Sequence, residues 1–549
     1  MKIFTATLPV MALLASASQM PASAQSVNET HKLLPLDGSA SDEFGESVAV
    51  SGTNAIIGSR WDDDNNPESG SAYVFDTVTG NQIFKLLSSD GTRGDAFGGA
   101  VAIDGNMAII GAAYDDDNGA QSGSAYLFDV TTGTQLAKLL PSDGATAAFF
   151  GETVSISGGI AIVGAPGDGQ NGIDSGAAYL FDTATGAQLA KLVPSDGEAG
   201  DWFGGSVGIS GGTAVISAPF DNDNGSNSGA AYIFDTATAT QTLKLLPDDG
   251  STNDEFGCSV AINGTTVIIG SLQDDDHGAN SGSAYLFDAL SGIQINKLIP
   301  DDSEVEDRFG SSVSIAGAIA VIGAKQEDET AINAGSAYLF DTTTGTQISK
   351  LCSSDGSAGD YAGHSVSISG TTVISGAFRN DENGESAGVA HLFEAPSVVV
   401  TTFCFGDGGG TPCPCGNDGG PGEGCANSTG SGAVLSVSGS TSISADDLVL
   451  STTGLPMGPG LYFQGQNSIN SGNGIIFGDG LRCAGLDVTR LQVRFSSGGN
   501  ANTSISIATK GSVLAGETKR YQHWYRDSTN SPCGSTFNLS NGYELTWTL

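Results

Sequence analysis

The sequence predicts an all-β protein: a seven-bladed β-propeller, a Gly/Cys-rich linker and an antiparallel β-sandwich. A period of 53 residues runs through seven copies, and each copy contains four strand-like segments. The last copy lacks its fourth strand, while an additional strand of that kind precedes the first copy. A second β pattern follows residue 426. Glycine supplies 80 of the 549 residues, about twice its usual share of ~7%, which favours many tight turns.

The chain begins with a segment typical of a secretory signal. Lys2 is the early positive charge, residues 3–15 are mostly apolar, and residues 22–24 are small, as at a cleavage site. The apolar stretch is too short to cross a bilayer as a mature helix. We predict that residues 1–24 are removed, that the mature chain has no transmembrane segment, and that it is secreted or held at the cell surface.

The period is clearest in a Phe-Gly pair that recurs every 53 residues. A tyrosine, an aspartate and a lysine recur with the same step, as at Tyr126, Asp90 and Lys138 of the second copy. A period held through seven copies without insertion is a strong repeat signal. The pair begins at Phe44, Phe97, Phe150, Phe203, Phe256 and Phe309, and the seventh copy has Ala362 instead.

Each copy has the pattern of four short antiparallel strands. In the second copy we expect them at 100–103, 107–112, 124–128 and 135–139. Asp104-Gly105 is a two-residue hairpin signal between the first two, and a longer acidic loop precedes the third. Such four-stranded units at this spacing are typical of propeller blades.

The two ends of the array predict that the ring closes. A lysine followed by apolar residues marks each fourth strand, and Lys32 precedes the first Phe-Gly pair. The seventh copy stops near Glu394 without a fourth strand of its own. We therefore expect the segment around Lys32 to complete the seventh blade, which removes exposed strand edges. The propeller is predicted to span residues 25–395.

The Phe-Gly pair, the triplet Gly164-Ala165-Pro166 and the following aromatic strand resemble FG-GAP repeats. Such repeats form the propeller of integrin α chains and of many secreted bacterial proteins, and the resemblance covers about 31–394. It implies a rigid recognition scaffold. Integrin-like repeats often carry a calcium loop between their first two strands. Tight turns such as Ser51-Gly52 replace that loop, so the family's calcium site is not carried over.

The acidic loop between the second and third strands is the candidate metal site. Alternating Asp and Asn before a Gly turn can present several oxygens to calcium. Alternatively, these residues make turns through side-chain-to-backbone hydrogen bonds without an ion. The third and sixth copies, with Asp168 and Glu327, are the least acidic. The candidate ligands are Asp62, Asp64, Asp115, Asp117, Asp221, Asp223, Asp274 and Asp276.

No catalytic set can be specified from residue spacing, so we expect a protein that is not an enzyme. His364 and His391 both fall in the seventh copy, which we attribute to the atypical closing blade. A propeller enzyme would need carboxylates at non-repeating positions near the axis, and seven near-identical blades speak against one.

Eight cysteines divide between the two regions. Cys258 and Cys352 lie at apolar or small repeat positions and are predicted to be buried and unpaired. An exported chain favours disulfides among the other six, for which fifteen pairings are open. A zinc site at Cys404, Cys413, Cys415 and Cys425 is the less favoured alternative. The six are Cys404, Cys413, Cys415, Cys425, Cys483 and Cys533.

Residues 396–426 are predicted to be a linker and residues 427–549 a β-sandwich. Expected strands lie at 433–437, 447–452, 461–464, 491–495, 504–507 and 545–548. This region resembles a C-terminal domain common in secreted multidomain bacterial proteins, through segments such as 477–480, 524–527 and 537–540. Trp524 and Tyr525 could stack on a sugar ring, but packing in the core or at an edge is the favoured interpretation. His523 and Asp527 flank them and could equally be ordinary surface residues.

Charge narrows the choice of partners. With 20 Lys+Arg against 61 Asp+Glu, the formal charge is −41, and nucleic acid or an anionic membrane would be repelled. The leading hypothesis is a secreted or cell-surface binding and adhesion protein that recognises an extracellular protein or glycan, with calcium as a stabiliser. The alternatives are a structural envelope or matrix component, and a propeller glycan-active hydrolase or lyase.

Overall fold

A computed structural model describes residues 27, 29–396, 401–406, 411–420, 423–438, 448–470, 473–514, 517–527 and 532–547. The predicted signal segment lies outside them. Seven four-stranded antiparallel sheets occupy the predicted repeat region, which confirms the propeller. Of the residues described, none forms a helix with the length and apolarity needed to cross a bilayer.

The first two strands of each blade are joined by a tight turn. The innermost strands are Val48–Ser51, Ala100–Asp104, Thr153–Ser157, Val207–Ser210, Phe256–Asn263, Phe309–Ala316 and Ser365–Ser369. The second strands are Asn54–Ser59, Met107–Ala112, Ile160–Ala165, Thr213–Ala218, Thr266–Ser271, Ile319–Ala324 and Thr372–Ala377.

The acidic loop leads to the third strand, which pairs with the outermost one. The third strands are Ser71–Asp76, Ser124–Asp129, Ala177–Asp182, Ala230–Asp235, Ser283–Asp288, Ser336–Asp341 and Val389–Glu394. The outermost strands are Gln82–Leu86, Thr134–Leu139, Gln188–Leu192, Thr240–Leu245, Gln294–Leu298, Gln347–Leu351 and, for the seventh blade, Glu29–Leu33.

The repeated phenylalanine joins neighbouring blades. Phe97 is fully buried and packs with Ile56 and Val74 of the preceding blade as well as with its own blade. Its ring meets Tyr126 and Phe128 edge-on, at centroid distances of 5.4 and 5.9 Å. Because both faces of each sheet are covered, the middle strands carry apolar residues continuously rather than in alternation.

The first strand of the described residues closes the ring, as predicted. Glu29–Leu33 pairs antiparallel with Val389–Glu394, and Leu33 lies opposite Ala390. Leu33 is fully buried in a cluster that also contains Leu392. The seventh blade is therefore built from both ends of the propeller.

The next-to-last residue of most second strands is a glycine, and it allows two blades to touch. A Cβ placed on Gly111 would lie 1.9 Å from the carbonyl oxygen of Gly151 in the next blade. Five other copies have the same glycine with 1.9–2.2 Å to the equivalent oxygen. In the fourth copy the residue is Ser217, and Gly257 opposite it stands farther from its neighbour: its own Cβ would be 2.9 Å from Ala230 O.

We expect Gly111→Ala to destabilise the propeller by roughly 3 kcal/mol or more, because a backbone oxygen cannot move aside as a side chain can. The matched control is Ser217→Ala, which we expect to stay within about 1 kcal/mol. Urea unfolding of the two variants measures the difference. Equal stabilities would show that the inter-blade contact is not the constraint.

The C-terminal region contains two main sheets around one core. Leu435 and Leu450 of the smaller sheet pack with Tyr462, Tyr521 and Leu545 of the larger one, so the predicted sandwich is confirmed. The larger sheet has the order Thr401–Phe403, Phe537–Thr546, Thr518–Arg526, Pro459–Gly465 and Thr489–Phe495. The smaller has Val434–Ser438, Val449–Thr453 and Ala501–Asn502.

Short elements complete this region, and part of the predicted linker belongs to it. Thr401–Phe403 is an edge strand of the larger sheet. Two-stranded ribbons join Asn467–Ser468 to Ala484–Gly485 and Ile475–Phe477 to Gly480–Arg482. The helical elements are a 3₁₀ turn at Pro414–Gly416 and a short α-helix at Ile507–Gly511.

Three disulfides select one of the fifteen pairings. They join Cys404 to Cys483, Cys413 to Cys425, and Cys415 to Cys533. All six C-terminal cysteines are thereby used, which leaves none for the zinc alternative. Cys258 and Cys352 are unpaired in the structure, as expected. The prediction that Cys352 is buried is wrong, because it follows the outermost strand of its blade and is exposed.

One further expectation for this region is wrong, and one open alternative is excluded. Residues 504–507 are not a strand: Ser506 caps the helix Ile507–Gly511 by accepting a hydrogen bond from Thr509 N–H. His523 and Asp527 are buried rather than superficial. His523 stacks on Tyr462 with ring centroids 4.0 Å apart, and burial lowers its pKa to about 3.

Candidate recognition face of the propeller

Each acidic loop surrounds the ammonium group of a repeated lysine. In the second copy, Lys138 Nζ lies 2.8 Å from Asp90, 2.9 Å from Asp115 and 2.6 Å from Asp117. The hydroxyl of Tyr126 donates toward Asp90 and Asp115 at 3.0 and 3.1 Å. Sequence reasoning found both the carboxylates and the lysine, which follow the same 53-residue period, but it did not pair them.

The same cluster recurs around the ring. All eight predicted metal ligands are brought together in pairs around Lys85, Lys138, Lys244 and Lys297. Lys191 contacts only Asp143 and Asp168. Lys350 contacts Asp302, Glu327 and Glu329, and Lys32 contacts Asp355 and Glu382.

Lys138 remains charged in its cluster. Burial lowers the pKa of Lys138, but hydrogen bonds to Asp117, Asp90 and Asp115 more than offset it and raise the pKa above its usual value. The inward oxygen of Asp115 is shared by the ammonium and the Tyr126 hydroxyl. A calcium ion using these oxygens would have to compete with an ammonium group already among them. Calcium binding here stays a prediction.

The seven innermost strands line a central channel of about 490 Å³. At one end lie the two-residue turns, which we call the turn mouth. Successive turns are joined by one kind of contact: the N–H of Gly105 donates to Ser51 Oγ at 3.0 Å, and that of Gly158 to Asp104 Oδ2 at 2.8 Å. The turn mouth is therefore nearly uniform around the ring.

The opposite end carries the Phe-Gly pairs, and its residues differ from copy to copy. We call it the variable mouth and define it by the four repeat positions of Glu43, Glu46, Arg60 and Trp61. The first two positions flank Phe-Gly, and the last two follow the second strand. The other six copies carry different residues at these positions.

In the second to seventh copies, the residues equivalent to Glu43 are Ala96, Phe149, Trp202, Glu255, Arg308 and Tyr361. The residues equivalent to Glu46 are Gly99, Glu152, Gly205, Cys258, Ser311 and His364. Those equivalent to Arg60 are Ala113, Pro166, Pro219, Leu272, Lys325 and Phe378. Those equivalent to Trp61 are Tyr114, Gly167, Phe220, Gln273, Gln326 and Arg379.

Charged groups from several blades interact across the variable mouth. Arg60 Nη1 lies 2.9 Å from Glu46 Oε1. Burial raises the pKa of Glu46 to about 8; Arg60 opposes the rise, while Glu43 and Glu152 add to it. Partial loss of hydration also raises the pKa of Glu152, although this residue is exposed at the surface. Because Glu152 belongs to the third blade, these carboxylates act on one another across the ring.

Basic groups complete this set from the sixth and seventh blades. Burial lowers the pKa of Lys325, and the charges of Glu46 and Glu255 partly oppose this shift. Burial lowers the pKa of His364 to about 3, and the charges of Lys325 and Arg60 add to that effect. His364 is therefore neutral at physiological pH.

Aromatic rings surround the charged groups. Trp61 stacks on Tyr114 with centroids 6.5 Å apart, and Tyr114 meets Phe149 edge-on at 5.8 Å. Trp202, which is 40% exposed, contacts Phe220 at 5.3 Å. On the seventh blade, His364 lies 4.4 Å from the ring of Phe378. Such faces can stack on a sugar ring or on side chains of a protein.

Several polar atoms in the variable mouth are buried without a hydrogen-bond partner among the described residues. They include His364 Nδ1 and Gln326 Oε1. Buried polar atoms are normally satisfied. Unused donors and acceptors beside exposed rings are the arrangement expected where a polar ligand binds.

We expect the stability conferred by Glu46 to fall as pH rises. Its folded-state pKa of about 8 lies above the ordinary 4.5, so the native state keeps a proton that the unfolded chain releases. That contribution is present below about pH 4.5 and is lost by about pH 8. As the pH rises from 5 to 8, the free energy of unfolding measured with urea should therefore fall for the wild type relative to Glu46→Gln. The exposed Glu68→Gln is the control, and parallel pH curves for Glu46→Gln and wild type would contradict the assignment.

Sequence reasoning missed the variable mouth because it used the repeats only for what they share. Most positions are nearly the same in all seven blades, yet four positions in each copy depart from the pattern and lie together at one end of the channel. Comparing the seven copies for their differences would have found them. The non-repeating carboxylates Glu46 and Glu152 are part of this set.

Comparison with known families agrees with this architecture. The FG-GAP repeat profile matches residues 27–75, 81–128, 134–181, 187–234, 239–287, 293–340 and 346–393. No curated protein matches the chain. Each match runs from the outermost strand of one blade to the third strand of the next, and together the matches cover more than half of the sequence. The chain therefore belongs to the FG-GAP repeat family.

Proposed function

We propose that the protein is a secreted or cell-surface binding protein whose propeller recognises an extracellular protein or glycan at the variable mouth. The observation that carries the proposal is the gathering of the non-repeating residues at this one end of the channel. A rigid, repeated scaffold with variable residues in one place is the usual organisation of a recognition surface.

Two features support an extracellular location. The N-terminal sequence has the pattern of a secretory signal, and three disulfides join the C-terminal cysteines. Disulfides of this kind persist in oxidising compartments. An adhesive role follows if the ligand belongs to a neighbouring cell or matrix.

The binding test uses the mature chain immobilised and probed with a glycan array and with extracellular protein extract. For any ligand found, we expect Trp61→Ala and His364→Ala to weaken binding about tenfold or more, since truncated central aromatic groups often cost this much. Thr53→Ala, in an exposed turn at the other end of the channel, is the matched control. The proposal would be contradicted if the two mouth variants bound as tightly as the wild type, or if neither the glycan array nor the protein extract yielded a ligand.

A glycan-active hydrolase is the second candidate, because the variable mouth contains a carboxyl that holds its proton to high pH. Glu46 could donate a proton and Glu152 could act as a second carboxyl group. Incubation with a glycan panel tests this reading by product release. Products that disappear in Glu46→Gln would favour an enzyme, whereas binding without product supports a recognition protein.

A further inference from the structure

An open cleft of about 690 Å³ lies on the larger sheet of the C-terminal domain. Leu461 and Trp524 face it from neighbouring strands, while Tyr462 and Tyr521 of the same strands point into the sandwich core. The cleft therefore occupies the sheet face away from the core. Its lining includes three arginines and four aromatic rings: Arg482, Arg490, Arg526, Phe463, Phe477, Trp524 and Phe537.

The cleft arginines have no carboxylate partner among the described residues. In contrast, all seven repeated lysines of the propeller are ion-paired, and Arg520 on the same sheet pairs with Glu544. The chain has 61 acidic residues for 20 basic ones. Three cations left together without an acid, in so acidic a chain, point to an anion supplied from outside.

Aromatic rings hold two of the arginines in the cleft. The guanidinium of Arg526 lies 5.3 Å from the ring centroid of Trp524, and that of Arg482 lies 5.8 Å from Phe477. Stacking of this kind limits side-chain motion while leaving N–H donors free for a carboxylate. The arginines are therefore partly preorganised.

Exposed apolar side chains extend the surface around the cleft. Phe477 is 41% exposed, Ile476 57%, Val493 60% and Phe495 73%. Exposed apolar side chains together with arginine and aromatic residues have the composition of a protein interface core. Its aliphatic part favours a partner with apolar side chains over a sugar acid, which offers none.

We propose that this cleft binds an acidic segment of a partner protein, with carboxylates on the arginines and apolar side chains on the surrounding surface. The edge strand Thr489–Phe495 runs beside the cleft, and within the described residues it pairs only with Pro459–Gly465. An extended segment can lie along such an edge. The site is independent of the variable mouth, so either proposal can fail alone.

The test uses the full mature chain with its disulfides formed. An array of eight-residue peptides with varied acidic and apolar content is probed first. The strongest binder is then labelled and titrated by fluorescence anisotropy against wild type, Arg490→Glu/Arg526→Glu and Arg494→Glu. Arg494 is the matched control: it lies on the same strand, outside the cleft, with its Nη1 donating to Ser504 Oγ. Unchanged melting temperatures establish that the variants fold.

We expect binders to be both acidic and apolar, and the double variant to weaken binding at least about tenfold, while Arg494→Glu changes it less than about threefold. Affinity should also fall as salt rises from 50 to 300 mM. Basic or neutral binders, an unaffected double variant, or binding of a uronate oligosaccharide in place of peptide would overturn the proposal. Light scattering tests whether a second copy of this chain occupies the cleft instead. Self-association that the double variant abolishes would equally overturn the proposal.

Discussion

Removal of the strand Glu29–Leu33 is expected to lower the melting temperature by about 10 °C or more and to make the protein aggregate. The loss removes a whole outer strand from the seventh blade. It exposes the edge of Val389–Glu394 and strips Leu392 of its contact with Leu33. An unpaired apolar edge is a template for pairing between chains.

Scanning calorimetry and size-exclusion chromatography of the truncated chain measure this effect. A synthetic peptide of residues 27–35 should restore a monomer when added in trans, and a scrambled peptide should not. A point variant covers the case in which the truncated chain does not fold: Leu33→Ala should cost about 2–4 kcal/mol. A truncated chain that stays monomeric with unchanged melting would show that the ring does not depend on this closure.

The propeller could be predicted from the sequence because its information is repeated. Seven in-phase copies fix the blade number, and the unmatched Lys32 segment fixes the closure. The C-terminal domain occurs once, so each of its elements had to be read from a single short pattern. Thr518–Arg526, a central strand of the larger sheet, was missed because polar residues such as Lys519 and Gln522 interrupt its apolar pattern, although both are buried.

The candidate sites were harder to predict for a different reason. The acidic loops were visible as clusters along the chain, but their counter-charge comes from lysines about 20 residues later in the sequence. The variable mouth draws side chains from separate blades, and only the closed ring brings Glu46 and Glu152 into mutual electrostatic contact. The arginine cleft likewise gathers residues from separate strands of one sheet.

Lys138→Met is expected to destabilise the protein by roughly 2–4 kcal/mol. The substitution removes the cation shared by Asp90, Asp115 and Asp117, and Asp115 is buried. Leaving the buried carboxylate of Asp115 unpaired costs far more than losing a surface ion pair. Urea unfolding measures the loss. The exposed Lys510→Met is the charge-matched control, and Lys191→Met, with only two carboxylate partners, should cost less than Lys138→Met.

The same variant separates lysine from calcium as the cation of the acidic loops. If lysine neutralises them, calcium should raise the melting temperature of Lys138→Met more than that of wild type, because the substitution frees three carboxylates for the ion. If calcium already stabilises the native loops, calcium should raise the melting temperature of the wild type, whereas magnesium should not. EDTA should then reverse that rise. Constant ionic strength keeps general screening out of the comparison. A Lys138→Met protein as stable as wild type, with no response to calcium, would contradict both accounts and reduce the loops to turn-forming hydrogen bonds.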